Sequence, residues 1–468
     1  GTDTQRANAL LQELRTLASD WPQDTAVREQ LAKGLFNAFN DADSDTQRAN
    51  ALLQELRTLA SDWPQDTAVR ERLAKGLFNA FARAGTDTQR ANALLQELRT
   101  LASDWPQDTA VRERLAKGLL NAFNDADSDT QRANALLQEL RTLASDWPQD
   151  TAVREQLAKG LFNAFARAGT DTQRANALLQ ELRTLASDWP QDTAVREPLA
   201  KGLFNAFARA GTDTQRANAL LQELRTLASD WPQDTAVREP LAKGLFNAFA
   251  RAGTDTQRAD ALLQELRTLA SDWPQDTAVR EQLAKGLFNA FNDADSDTQR
   301  ANALLQELRT LASDWPQDTA VRERLAKGLF NAFARAGTDT QRANALLQEL
   351  RTLASDCPQD TAVREPLAKG LFNAFARAGT DTQRANALLQ ELRTLASDWP
   401  QDTAVRERLA KGLGIAVLQA ASATPRRDEE ANTRLEELTD LARTHPEDQG
   451  VAQVLAVVLD RLSPPDQG

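Results

Sequence analysis

Few residues in this sequence have the types and spacing that catalysis would need. Cys357 is the only cysteine and His445 the only histidine, and they lie 88 positions apart. A cysteine–histidine pair must lie within hydrogen-bond reach to form a nucleophile, and the repeat described below puts these two in units that are not adjacent. Carboxylates such as Asp20 and Asp24 recur along the chain in positions that suit helix capping better than acid–base work.

Known chemical motifs are also missing from the sequence. It contains no G-x-x-x-x-G-K-[ST] phosphate loop, no H-E-x-x-H zinc motif and no C-x-x-C pair. The sequence therefore predicts no enzyme, no cofactor and no metal site.

Composition narrows the class of partner. The net charge of −12 and the pI near 4.9 argue against nucleic acid or an anionic membrane as the main partner. No apolar run approaches the roughly 18 to 20 residues that span a bilayer. A single cysteine excludes an intrachain disulfide, so we expect a reducing, cytoplasmic location. The absence of methionine and a start in mid-pattern favour a fragment of a longer protein.

One sequence segment is repeated along most of the chain. The segment from Asp3 to Asp24 returns almost unchanged every 42 residues, in ten copies without insertion. A fixed period of this size is typical of a solenoid, in which each unit packs on its neighbours. Positions below are counted within this unit from Gly1. We assign residues 1–420 to ten repeats and residues 421–468 to a diverged eleventh helix pair that acts as a C-terminal cap.

The first half of each unit predicts an amphipathic helix from about Asp3 to Asp20. Thr2 with Gln5, or Ser44 with Gln47 in the other version of the turn, fits a capping box. Apolar residues recur at spacings of three and four, as in a helix with one buried face. They are Ala7, Leu10, Leu11, Leu14, Leu17, Ala18 and Trp21.

The second half predicts another helix, from about Thr25 to Asp41. Trp21-Pro22 ends the first helix because the residue before proline avoids the α region, and Asp24 is placed to cap the second. Gly34 recurs in every copy, which indicates close approach of a neighbouring helix. In three copies position 30 is a proline in the second turn of this helix, and we expect a local distortion there. These residues are Pro198, Pro240 and Pro366.

The sequence resembles the tetratricopeptide (TPR) superfamily. Leu31-Ala32-x2-Leu35 is similar to the Leu-Gly-x2-Tyr element of that family, Ala49-x3-Leu53 to its Ala-x3-Phe element, and Pro64 to its closing proline. Arg28 stands where the family has tryptophan, and tyrosine is absent. A closer resemblance is to bacterial TPR-like proteins with 42-residue repeats of very high internal identity. It implies an all-α fold: a right-handed superhelical solenoid of antiparallel helix pairs that binds protein.

The resemblance also implies where a partner binds. The TPR helix that lines the concave groove corresponds to the helix from Thr25 to Asp41. Glu29, Lys33, Asn37 and positions 30 and 40 then form a polar stripe that either faces a partner or is simply solvated. The candidate groove residues are Lys117, Asn121, Lys159, Asn163, Lys201, Asn205, Lys243, Asn247, Lys285 and Asn289.

The recurring tryptophan has two interpretations. Trp21 and its copies could form a ladder on which a ligand stacks, or they could pack between helices beside the turn, which the pattern favours. Cys357 replaces tryptophan in the ninth unit and His445 in the eleventh. Because a large-to-small change leaves a cavity, we expect the ninth repeat to be locally less stable than its neighbours.

The sequence predicts a non-enzymatic scaffold that binds an unidentified protein or peptide through the groove, and neither nucleic acid nor membrane. Three alternatives stay open: the ligand-recognition arm of a larger bacterial signalling protein, a nucleic-acid reader with one base per repeat, and a designed array without a partner. Self-association is a further expectation, through the uncapped first helix or through the apolar C-terminal helix around Val457.

Overall fold

The computed structural model of the chain describes residues 2–42, 45–379, 381–423 and 426–462, of which residues 2–4 by their backbone alone. These residues form 22 α-helices. The helices are α1 Thr2–Asp20, α2 Thr25–Asp41, α3 Thr46–Asp62, α4 Thr67–Ala84, α5 Thr88–Asp104, α6 Thr109–Asp125, α7 Thr130–Asp146, α8 Thr151–Arg167, α9 Thr172–Asp188, α10 Thr193–Arg209, α11 Thr214–Asp230, α12 Thr235–Ala252, α13 Thr256–Asp272, α14 Thr277–Asp293, α15 Thr298–Asp314, α16 Thr319–Arg335, α17 Thr340–Asp356, α18 Thr361–Ala378, α19 Thr382–Asp398, α20 Thr403–Ala421, α21 Asp428–Thr444 and α22 Gln449–Leu462.

The helices alternate as a first and a second helix of each repeat. By their contacts they form two compact units, Gly1–Leu241 and Ala242–Gly468, and each unit is described by itself. In both units a second helix packs on the first helix of its own repeat and on that of the next. The predicted all-α solenoid of antiparallel helix pairs is confirmed. The division into repeats at 1–420 and a cap at 421–468 stays a prediction.

The first helices are capped by aspartate. Asp87 precedes α5, and its Oδ1 accepts a hydrogen bond of 3.0 Å from the backbone N–H of Arg90. Thr86, at the position of Thr2, lies before the cap. The capping box was therefore placed one residue too early, because the carboxylate meets the free N–H groups of the first turn better than the threonine does. The side chain of Thr2 and the whole of Ser44 lie outside the described residues.

The second helices begin where the sequence predicts. Asp24 Oδ1 accepts from the backbone N–H groups of Ala26 at 2.9 Å and Val27 at 3.2 Å. These bonds satisfy two of the donors that a helix N-terminus leaves free. The Trp-Pro-Gln-Asp turn therefore ends one helix and starts the next.

The three prolines are accommodated without a break in the helix. Helices α10, α12 and α18 run continuously through Pro198, Pro240 and Pro366. Their first turn changes instead: the backbone N–H of Val195 donates to Asp192 O at 3.1 Å, an i to i−3 bond. The same bond occurs from Val237 to Asp234 and from Val363 to Asp360. The expected distortion is thus confined to the first turn, where in α10 and α12 the carbonyl of the cap aspartate accepts both this bond and the usual i to i−4 bond from the next residue.

The core lies between the two helices of each repeat and between neighbouring repeats. Leu94, Leu95 and Leu98 of α5 are buried. A Cβ on Gly118 of α6 would lie 3.0 Å from Leu95 Cδ1. This tight contact confirms that the recurring glycine permits close approach of the first helix of the same repeat.

The two sides of the stack differ in how closely the repeats approach. Second helices pack directly on one another, α4 on α6 and α6 on α8 in one unit, α16 on α18 and α18 on α20 in the other. In the described parts of each unit, no two first helices pack on one another in this way. The repeats are therefore closer together along their second helices.

A buried arginine at position 28 joins each repeat to the next. Arg112 is only 4% exposed, and its Nε donates to Asp150 Oδ2 at 3.0 Å. Its guanidinium carbon lies 4.2 Å from the ring centroid of Trp147, and Nη1 donates to the carbonyl of Pro106. Because Asp150 also caps α8, one side chain connects a turn, a helix cap and an aromatic ring. We call this contact the Arg–Trp–Asp joint.

The arginine–aspartate pair of the joint recurs along both units, although the tryptophan position is Cys357 in the joint of Arg322 and His445 in that of Arg406. Its arginine and aspartate are paired as follows: Arg28–Asp66, Arg70–Asp108, Arg112–Asp150, Arg154–Asp192 and Arg196–Asp234 in the first unit, and Arg280–Asp318, Arg322–Asp360, Arg364–Asp402 and Arg406–Asp448 in the second. An aromatic ring under the guanidinium stabilises such a contact by about 0.5 to 2 kcal/mol. Removal of one partner of a buried ion pair costs about 3–5 kcal/mol.

Neighbouring first helices are linked only by long side chains. Arg57 donates to both carboxylate oxygens of Glu97, from Nε at 2.7 Å and from Nη2 at 3.0 Å. Fork-to-fork pairs of this kind hold a defined geometry. Because both side chains are partly exposed, each pair contributes at most about 1 kcal/mol.

The ninth repeat departs from its neighbours where cysteine replaces tryptophan. Ala354 is half-buried, whereas its counterparts Ala312 and Ala396 are buried. The next arginine, Arg364, lies 3.7 Å from Asp402, and its buried Nε has no hydrogen-bond partner among the described residues. These contacts support the expectation that this repeat is the weaker one.

We predict that Cys357→Trp stabilises the ninth repeat by about 1–3 kcal/mol, through a restored cation–π contact and buried aromatic area. Hydrogen exchange of the backbone amides in α17 and α18 measures this local free energy of opening. The matched control is Trp315→Cys, which should lower protection in the eighth repeat by a similar amount. Equal protection of the eighth and ninth repeats in the unchanged chain would contradict the prediction.

Candidate functional site

The candidate groove residues lie on second helices in both units. Lys117, Asn121, Lys159, Asn163, Lys201 and Asn205 are on α6, α8 and α10 of the first unit, and Lys243, Asn247, Lys285 and Asn289 are on α12 and α14 of the second. Lys159 and Lys201 are exposed and the other eight are half-buried. Each set therefore forms a partly accessible polar stripe within its own unit.

Lysine is confined to this stripe. Every lysine in the sequence occupies position 33 of a repeat. These residues are Lys33, Lys75, Lys117, Lys159, Lys201, Lys243, Lys285, Lys327, Lys369 and Lys411. Any reagent selective for lysine side chains therefore reports on this one face.

Each described lysine of the stripe has a carboxylate one helical turn earlier. Lys159 Nζ lies 2.5 Å from Glu155 Oε1, and Lys201 Nζ lies 2.5 Å from Glu197 Oε1. Pairs at i and i+4 on a helix attract each other, although exposure to solvent weakens the effect. The stripe is thus a row of nearly neutral Glu–Lys pairs, to which position 30 adds a variable group.

Arginine at position 30 changes the electrostatics of the stripe. The hydrogen bond from Lys117 is the main reason that the pKa of Glu113 is lowered, against the opposing effect of burial. The charges of Arg114 and of Lys75 in the preceding repeat lower this pKa further. The pKa of Glu71 is lowered in the same way, first by the hydrogen bond from Lys75. Charges on adjacent repeats therefore influence one another along this face.

The residues at position 30 also differ in burial. Arg114 lies over the half-buried ring of Phe78 in the preceding repeat, with its guanidinium carbon 5.9 Å from the ring centroid. Gln156 is only 4% exposed, and Pro198 is buried. Arginine at this position therefore extends further out of the helix surface than glutamine or proline does.

One of the candidate asparagines also connects two repeats. Asn163 Nδ2 donates to Asn124 Oδ1 at 2.9 Å. Arg167 donates to the carbonyls of Phe123 and Asn124, each at 2.8 Å, and its Nε lies 3.3 Å from Asp127. The arginine thus covers the C-terminal carbonyls of α6, where a cation is favourable. Asn163 consequently has a structural bond in addition to any contact with a partner.

Sequence analysis missed the role of the arginine at position 28. Its buried position and its partners in the next repeat became evident only from the packing of the second helices. The available signal was that Arg28 recurs in every copy next to a row of apolar residues. The tryptophans lie under these arginines, so their rings take part in packing between repeats.

In the described part of the chain, pockets lie over two of the joints and, with a volume of about 510 Å³, between α16 and α17. A shallow pocket of about 290 Å³ lies over the joint of Arg70. It is lined by Thr67, Arg70, Trp105, Pro106, Gln107, Asp108 and Thr109. The arginine in it is already held by Asp108 and by the carbonyl of Pro64, so this pocket offers no free charged group.

The two residues with nucleophilic or basic potential occupy equivalent turn positions. Cys357 follows α17 and is half-buried. His445 follows α21, and its Nδ1 lies 3.4 Å from Glu447 Oε1. Within the described residues, no group of three or more His, Cys, Asp and Glu side chains could hold a metal ion.

None of the helices in the described part of the chain combines the length and apolarity needed to cross a membrane. Two apolar patches are exposed. Leu10 and Leu17 lie on α1 and Trp21 directly follows it, and Val457 and Leu459 lie on α22. Self-association through these patches stays a prediction.

Sequence comparisons matched no protein-family model and no curated protein. Comparison of structures found other helical proteins at low similarity. Yeast Tom70 has 13% sequence identity, with 98% of this chain and 94% of Tom70 covered and a TM-score of 0.28. The P58(IPK) TPR domain has 12% identity, with 83% and 98% covered and a TM-score of 0.22. The human IFIT1 dimer with m7Gppp-AAAA has 11% identity, with 97% and 95% covered and a TM-score of 0.32.

At such low TM-scores the fold assignment depends on the helix pairs of the chain itself. They repeat with a period of 42 residues, are antiparallel and pack only on neighbouring repeats within each unit. The chain is an α-solenoid of repeated antiparallel helix pairs, the fold that the resemblance to TPR-like proteins implies.

We predict that the lysines of the stripe differ in reactivity towards an amine-selective acetylating reagent. Lys159 and Lys201 have side-chain exposures of 48% and 50%, against 24% for Lys75. We therefore expect acetylation of Lys159 and Lys201 to be about twice as fast, in proportion to exposure. Peptide mass spectrometry measures the rates, and a faster rate at Lys75 would contradict the described burial of the stripe.

Proposed function

We propose that the chain is a non-enzymatic scaffold that binds a segment of a protein partner along the second helices of its repeats. The partner would lie across several consecutive repeats and contact positions 29, 30, 33, 37 and 40. Extended concave surfaces of this kind are the usual binding surfaces of solenoid repeats.

The main support for this proposal is that the repeats are closer together on one side of each unit than on the other. Second helices pack directly on one another, and first helices meet only through long side chains such as Arg57 and Glu97. A stack whose repeats are closer on one side curves towards that side. The second-helix face of each unit is therefore the better candidate for a concave groove.

The distribution of differences between the copies also supports this proposal. The joint arginine is the same in every copy, and the main differences fall at position 30 and at positions 40 to 44. Arginine at position 30 is half-buried on the second helix, whereas Gln156 and Pro198 at that position are buried, and position 40 lies near the end of the helix. The chain therefore keeps its packing residues constant and changes side chains that a partner could contact.

Lysine footprinting of the full chain tests the proposal. The probes are individual peptides selected from a random peptide library against the full chain. Because every lysine lies on the stripe, a peptide bound in the groove should slow acetylation of consecutive lysines such as Lys117, Lys159 and Lys201. Mass spectrometry should detect this protection at saturating peptide.

Two matched variants provide the control. Lys159→Gln with Lys201→Gln removes two positive charges from the stripe, and Gln138→Glu with Gln180→Glu makes the same change of net charge on exposed first-helix positions. We expect the first pair to weaken peptide binding by about fivefold, or about 1 kcal/mol, and the second pair to leave it unchanged. The proposal fails if no peptide binds, if bound peptides protect no lysine, or if both variants behave alike.

A further inference from the structure

Two arginines occupy position 30 in consecutive repeats of the first unit. Arg72 is on α4 and Arg114 on α6, and these second helices pack directly on each other. The following repeats of that unit have Gln156 and Pro198 at the same position. The stripe is therefore cationic at one place and neutral beyond it.

The charge at this place is not balanced by the neighbouring side chains of the stripe. Lys75 is paired with Glu71 and Lys117 with Glu113, which leaves the two arginines as excess positive charge. Arg114 Nη1 is 3.9 Å from Glu113 Oε1, a loose contact with a carboxylate that already accepts from Lys117. This local excess is unusual in a chain of net charge −12.

The two arginines also have unused hydrogen-bonding capacity. The Nε atoms of Arg72 and Arg114 are buried and have no hydrogen-bond partner among the described residues. A carboxylate that bound Nε and Nη2 together would satisfy both groups, since guanidinium and carboxylate match in a bidentate geometry. Such a carboxylate has to come from outside the stripe.

The position of Arg114 allows its guanidinium to leave its present contact and bind such a carboxylate. Its guanidinium carbon is 5.9 Å from the ring centroid of Phe78, close to the limit of about 6 Å for a cation–π contact. The guanidinium can therefore leave the ring at little cost. Its movement would expose the half-buried ring of Phe78 to an apolar side chain of the ligand.

We propose that the second-helix face of the second and third repeats binds an acidic stretch of a protein partner that also carries bulky apolar residues. This inference rests on the proposed function and names the partner chemistry for one part of the groove. Carboxylates of the partner bind Arg72 and Arg114, and apolar side chains contact Phe78. Position 30 then determines which segment of the partner lies at which repeat.

The test uses the full chain and two short fluorescein-labelled peptides. One alternates aspartate with leucine, and the other has asparagine in place of each aspartate. Fluorescence anisotropy at physiological salt measures their affinities. We expect the aspartate peptide to bind at least about tenfold more tightly, because only its carboxylates can form charge-assisted hydrogen bonds with the two arginines.

The double variant Arg72→Gln with Arg114→Gln isolates the arginines. The fold accepts glutamine at this position, as Gln156 shows in the fourth repeat. We expect the variant to lose about tenfold in affinity for the aspartate peptide, equivalent to about 1.4 kcal/mol, with no change for the asparagine peptide. A second variant, Gln156→Arg, lengthens the cationic segment and should tighten binding of the aspartate peptide.

The outcomes separate this inference from the function on which it rests. If peptides bind and protect the lysines but the double variant has no effect, the acidic partner is wrong and the groove function stands. If neither of these two peptides binds, the acidic partner is wrong, and the groove function fails as well only if the library peptides also fail to bind and to protect the lysines. If a single-stranded thymidine oligonucleotide binds as tightly and is lost in the same variant, the site is one for nucleic acid and the inference is overturned.

Discussion

The buried arginine at position 28 is the interaction on which the rest of the structure depends. Arg112 is buried and binds the cap aspartate, the indole ring and a turn carbonyl, as Arg70 and Arg154 do in the neighbouring joints. A buried guanidinium without these partners would be strongly destabilising. Each joint therefore requires that the next repeat present its Trp-Pro-Gln-Asp turn in one position. Packing of apolar residues alone, such as Leu94 against its neighbours, would allow sliding between helices.

The residues of the joint and those of the stripe occupy different positions of the repeat. The joint and the buried faces of the second helices hold the repeats together, and these residues scarcely change between copies. Lys33, Asn37 and position 30 lie on the second helix but take no part in the joint. Arginine, glutamine and proline all occur at position 30 without a break in the helix. The array can therefore vary its surface while the contacts between repeats stay the same.

Much of the fold was predictable because the residues that determine helix ends and close contacts can be recognised from short stretches of the sequence. Trp21-Pro22 and Asp24 determine where helices end and begin, and Gly34 indicates the close approach of its partner helix. The joint was not predictable, because Arg28 binds Asp66 of the next repeat and the sequence alone gives no distance between them. Likewise, the bond of Asn163 depends on which turn precedes it. The stripe was predicted from periodicity and resemblance, but the excess charge at Arg72 and Arg114 depends on packing between repeats, which the sequence does not give.

The central claim is that the joint is a coupled unit that holds adjacent repeats in one arrangement. A double-mutant cycle with Arg112→Met and Trp147→Leu, measured by hydrogen exchange of amides in α6, α7 and α8, tests it most directly. The account predicts a coupling free energy of about 1 kcal/mol or more between the two side chains. Additive effects, with a coupling within about 0.5 kcal/mol of zero, would contradict it, because the arginine and the tryptophan would then contribute to stability independently.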